Sequence, residues 1–97
     1  MSKPAYMVVD ARSSDPARMV EYRRLAQAAV EKFGGRYLVR GAPYVTLEGS
    51  WQPERLVVLE FPSMEVARKF YDSPEYGEAR SARRGVSDFD MLLAEGY

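Results

Sequence analysis

The sequence contains no cysteine and no histidine. Their absence excludes disulfides, thiolate or imidazole metal ligation, a cysteine nucleophile and every catalytic triad built on histidine. Net charge is missing too: 14 Lys and Arg balance 14 Asp and Glu, so the chain as a whole exerts no long-range pull on nucleic acid or an anionic membrane. No apolar run approaches the ~18 residues of a membrane span or a secretory leader, and a cytoplasmic location is the expectation. Neither GxxxxGK[ST] nor GxGxxG occurs. No cofactor is therefore expected, and neither nucleic acid nor membrane is an expected partner. What remains is 97 residues, 46% hydrophobic and 29% charged, enough for a single domain over 1–97 with a modest core. Oligomerisation would add to that core.

Tyr6 to Ala11 has the length and β-rich composition of a strand. Asp15-Pro16 then starts a helix, the carboxylate accepting from first-turn N–H groups and the proline fitting the first helical position. Met19, Tyr22, Ala26, Ala29 and Phe33 recur at steps of three and four, which predicts a helix over Pro16–Phe33 that leaves through Gly34-Gly35. Arg36–Arg40 and Tyr44–Glu48 each alternate polar with apolar residues and are expected as two short strand pieces joined by a bend or bulge at Gly41-Ala42-Pro43. Leu56–Phe61 is the strongest strand. Ser63 caps a helix containing Val66, Ala67, Phe70 and Tyr71; Ser73-Pro74 caps another over about Pro74–Arg84; Ser87–Glu95 closes as a strand. The order β α β β α (α) β predicts a ferredoxin-like α+β plait: an antiparallel sheet with helices on one side only.

Alternation then separates two sides. Val57, Leu59 and Phe61 form an all-apolar set that should meet the helices, leaving Leu56, Val58 and Glu60 opposite. The same rule puts Asp10 beside Tyr6 and Val8, Arg36 and Arg40 beside Leu38, Glu48 beside Tyr44 and Thr46, and Asp90 beside Leu92. Such a mixed side is either solvated or covered by a second copy, the two chains closing a dimeric α+β barrel around a cleft for a small organic molecule, anions included. Charges inside must be paired or meet a ligand.

Eleven of the basic residues are arginine, a preference suited to bidentate pairing. Arg80, Arg83 and Arg84 have no acidic neighbour at helical spacing, and Tyr76, Arg80 and Arg84 share one helix side. They either pair with carboxylates of a second chain and the helix dipole, or anchor an anionic substrate. Glu48 and Glu60 are candidate general bases if desolvation raises their pKa, or ion-pair partners of Arg40 or Arg55 if not. Trp51 either plugs a dimer seam or walls a pocket. Tyr22, Tyr71 and Tyr76 either pack or donate to an enolate or phenolate oxygen.

The runs Gly34-Gly35-Arg36-Tyr37-Leu38-Val39-Arg40-Gly41, Leu47-Glu48-Gly49-Ser50-Trp51, Pro53-Glu54-Arg55, Leu59-Glu60-Phe61-Pro62-Ser63, and Tyr71 with Ser73-Pro74-Glu75-Tyr76 and Arg80 together resemble the domain-of-unknown-function 1330 family. The resemblance covers nearly the whole chain, with Ala42 where the family pattern has a second glycine. It implies a ferredoxin-like homodimer of the dimeric α+β barrel superfamily. Relatives there include cofactor-independent monooxygenases, muconolactone isomerase-like proteins, haem-using dismutases and simple binders, so fold analogy selects no activity. The polar residues that match by position are Arg40, Glu48, Arg55, Glu60, Tyr76 and Arg80. In an enzyme, Glu48 or Glu60 would be the base, Arg40, Arg55 or Arg80 would orient the substrate, and Trp51 or Tyr76 would wall the site. In a structural module the same charges would hold two chains together.

Overall fold

The computed structural model describes residues 3–97. The elements run β1 (Ala5–Ser13), α1 (Pro16–Lys32), β2 (Arg36–Arg40), β3 (Leu56–Phe61), α2 (Met64–Asp72), α3 (Pro74–Ala82) and β4 (Ser87–Glu95). The strands form one sheet in the order β2-β3-β1-β4, and every neighbouring pair is antiparallel. β1 and β2 are therefore parallel, with β3 between them. This is the split βαβ arrangement of a ferredoxin-like plait.

Local chemistry sets the helix ends. Asp15 accepts from the Arg18 N–H and Pro16 follows it at the start of α1; Gly34 takes φ +73° at the exit, and the Gly35 N–H closes onto the Val30 carbonyl at 2.9 Å. Ser73 serves two helices at once. Its hydroxyl donates to the Phe70 carbonyl at 2.7 Å at the end of α2 and accepts from the Tyr76 N–H at 3.1 Å at the start of α3. That shared cap turns Tyr76 inward, where it is 1% exposed. α3 ends two residues before the predicted Arg84, with Arg83 as its cap.

Two expectations fail. Tyr44–Glu48 forms no strand, and the chain from 41 to 55 is a loop. Gly41 turns away from the sheet with φ +69°, and side chains rather than a ladder close the excursion: Tyr44 Oη donates to the Pro53 carbonyl and Thr46 Oγ1 to the Trp51 carbonyl, both at 2.7 Å. The second failure lies within β2. Tyr37 pairs with Leu59 but Val39 with Val58, so Leu38 is the extra residue of a bulge. Beyond a bulge the side-chain alternation reverses. Arg40, paired with Val57, thus lies on the helix-covered side and not beside Arg36 on the bare one.

The covered side carries Met7, Val9, Leu59 and Phe61 into the core. Phe70 sits between Phe61 and Tyr76 with ring centroids 4.9 and 4.7 Å away, which fills the α2–α3 end. α1 is different: its close backbone approach is to α3 and not to the sheet.

Candidate small-molecule site

Because α1 leans on α3 and Ala26 presents only a methyl group to the space above the strands, its inner side does not fill that space. A cavity of about 330 Å³ remains there, at the lower end of the range of small-molecule sites. Met7 and Val9 of β1, Val57 and Leu59 of β3, and Ala26 and Val30 of α1 supply apolar walls.

Its polar groups fall into two sets. Inside are the phenols of Tyr22, Tyr37 and Tyr76, with Tyr22 Oη and Tyr76 Oη hydrogen-bonded at 2.8 Å. Burial pushes the Tyr22 phenol well above its ordinary value, and the neighbouring Tyr76 adds to the shift. Burial raises Tyr37 as well, against the pull of Arg40. Near neutral pH these are uncharged hydroxyls able to donate. The second set lines the cavity from α1, the end of β2 and the loop: Arg23, Arg40, Arg55 and Glu54. Arg40 lies 4.2 Å over the Tyr37 ring. Glu54 Oε2 accepts from the Ser13 N–H at 3.0 Å.

Of the residues singled out from sequence, Arg40, Arg55 and Tyr76 line this cavity. Glu60 lies on the bare side, where Arg36 Nε donates to its Oε1 at 2.6 Å. That hydrogen bond holds the Glu60 carboxyl below its ordinary value, with burial opposing and Tyr6, its cross-strand neighbour, reinforcing it. A general base poised near neutrality needs the opposite shift. Glu48 is exposed in the loop. Trp51, 56% exposed, directs Nε1 at Asp10 Oδ2, 3.4 Å away on the bare side. Arg80 stacks over Tyr71 at 4.5 Å, behind Tyr76 and outside the cavity lining. Sequence reasoning missed Arg23 and Tyr37 as site residues. Tyr37 stands in the alternating run of β2, but only the bulge shows that it and Arg40 point the same way.

A family model described as Domain of unknown function (DUF1330) matches residues 4–97. The chain belongs to the DUF1330 family. No curated protein matches the sequence significantly. Among solved structures, the DUF1330 chain is similar to a protein of unknown function from Rhodopseudomonas palustris, at 19% identity and TM-score 0.76, over 100% of this chain and 85% of that one. It is similar to a cofactor-independent oxygenase from Streptomyces nogalater, at 14% identity and TM-score 0.66, over 99% and 95% of the two chains. A dimeric ferredoxin-like protein of unknown function from Thermobifida fusca aligns at 12% identity and TM-score 0.59, over 99% and 93%. These likenesses establish the ferredoxin-like fold of this DUF1330 chain. Among the described residues no helix is long and apolar enough to cross a membrane.

Proposed function

We propose that this DUF1330 chain is a cytoplasmic homodimer in which each protomer takes up a small organic molecule in the cavity beneath α1. The cavity itself carries the reading: it is walled mainly by apolar side chains, holds phenol donors, and is left open where α1 presents Ala26. An uncharged aromatic probe such as 2-naphthol is expected to raise the melting temperature by several degrees at saturation, since a ligand at 100 times its Kd contributes about 2.7 kcal/mol. Ala26→Phe, which fills the space, is expected to abolish that rise. A wild-type protein indifferent to every such probe would remove the reading.

Dimerisation is supported by the bare side of the sheet and by the dimeric fold neighbours. Val39, Val58, Val8 and Leu92 face one another in sequence across all four strands. This apolar row is flanked on one side by an ionic row containing Arg36 and Glu60 and on the other by Asp90, beside the loop that covers its cross-strand neighbour Asp10. An apolar seam between charged borders suits a self-complementary two-fold contact. Val8→Lys places a charge in the middle of the row. Sedimentation at micromolar concentration is expected to give dimer mass for the wild type and monomer mass for V8K with unchanged circular dichroism; a wild-type monomer overturns this part. Glu60, Arg36 and Trp51 are assigned to this face, and Arg40, Arg55 and Tyr76 to the ligand.

A second reading, cofactor-independent catalysis of the oxygenase or isomerase kind, uses the same cavity. The hydrogen-bonded Tyr22–Tyr76 pair favours it, because one hydroxyl donates within the pair and the other keeps its proton for a developing enolate or phenolate oxygen.

A further inference from the structure

We infer that the cavity is built for an aromatic carboxylate, with the ring under α1 and the carboxylate held at the Arg40–Arg55 end. The inference rests on the small-molecule reading above and adds to it the ligand's charge and orientation.

In a chain with no net charge, the lining of this one cavity carries three guanidiniums, Arg23, Arg40 and Arg55, against one carboxylate, Glu54. Among the described residues none of the three forms an ion pair; Arg12, Arg24 and Arg36 do, and Arg18, Arg68, Arg80, Arg83 and Arg84, outside the cavity lining, do not. The single carboxylate, whose Oε2 accepts from the Ser13 N–H, offsets one of the three positive charges and leaves two in excess. Like charges gathered at a concave, partly apolar site repel one another unless an anion joins them.

One of the three is also held in place. The Arg40 guanidinium lies over the Tyr37 ring. The Arg55 guanidinium occupies space that Gly41 leaves free, a Cβ at that position falling 2.2 Å from its Nη1, so the glycine admits the group beside Arg40 without fixing it. A guanidinium fixed before binding loses less freedom when a carboxylate arrives, and its planar fork matches that group in a bidentate manner. The rest of the lining is mainly apolar and aromatic, with Phe70, Phe89 and the Tyr22–Tyr76 pair. Aromatic edges and faces suit a flat ring.

Isothermal titration calorimetry on the wild-type protein tests this with three matched pairs: benzoate, 2-naphthoate and anthracene-2-carboxylate, each against its carboxamide. At least one acid is expected to bind tenfold or more tightly than its amide. Arg40→Ala/Arg55→Ala is expected to bring that ratio near unity, its folding confirmed by a cooperative thermal transition. Equal acid and amide affinities, with the 2-naphthol stabilisation intact, overturn the anion assignment and leave the small-molecule reading standing. A preference that survives in the double variant overturns the placement on these arginines. Loss of the 2-naphthol effect together with all six ligands overturns both readings.

Discussion

Truncating Phe61 to alanine is expected to lower the unfolding free energy by about 3–5 kcal/mol, and Gly35→Ala is expected to cost about 1–3 kcal/mol by the opposite route, overpacking. Phe61 is 1% exposed and joins β3 to the helix layer through Phe70. A Cβ on Gly35 would stand 2.6 Å from Phe61 Cε1 and 2.9 Å from its Cδ1. The ring has nowhere to retreat, since Phe70 backs it with centroids 4.9 Å apart. A domain of this size is stable by about 5–15 kcal/mol, so either loss is a large share. The two effects should not add. Once the ring is gone, the methyl added at Gly35 enters emptied space, and the double variant F61A/G35A is expected to be no less stable than F61A alone. Urea unfolding of the four proteins measures the coupling directly. Additive losses would show that the ring yields freely and that the close approach at Gly35 constrains nothing.

The same junction illustrates what a sequence can disclose. β2, β3 and β4 begin and end where alternation and punctuation place them, and Ser73-Pro74 marks the helix junction that the shared cap makes. Local chemistry suffices for these because caps, prolines and period-two patterns act within a few residues. β1 runs on to Ser13, beyond the predicted Ala11, because β4 offers Ser87 as a cross-strand partner, and that partner is distant in sequence. The bulge at Leu38 shows only in the pairing with β3, a partner distant in sequence, and nothing within β2 announces it. One unforeseen residue then decides the site, moving Arg40 from the side of Arg36 to the side of Tyr37. Chemistry alone named Glu60 as base or ion-pair partner, but register chose Arg36 as its partner over Arg40 and Arg55. The cavity was illegible for a different reason. It arises from where α1 leans, a property of helix–helix packing that no periodicity encodes.

Asp10→Ala is expected to lower stability by about 2–3 kcal/mol and to free the loop from 41 to 55. Asp10 is 5% exposed although it belongs to the bare side of the sheet, because this loop folds over it. Its carboxylate accepts from Arg12 Nη1 at 2.7 Å, from the Glu54 backbone N–H at 3.0 Å and from Trp51 Nε1 at 3.4 Å. Truncation removes the acceptor for all three at once. Arg12 suffers least, since its side chain is 29% exposed and keeps Asp90 at 3.1 Å and Asp88 at 3.4 Å, which holds the loss below that of a fully buried pair. Asp10→Asn retains one oxygen for the Glu54 N–H and should recover roughly half the loss. Trp51 is the only tryptophan, so its fluorescence reports the loop directly. In D10A its emission is expected to shift to the red and its quenching by acrylamide to increase, with D10N intermediate. A destabilised D10A with unaltered Trp51 emission would show that other contacts hold the loop. The consequence extends to the cavity, because the loop that Asp10 anchors begins at Gly41 and ends at Arg55. Loosening it should weaken the binding of an aromatic acid more than that of its amide, even though Asp10 lies on the opposite side of the sheet.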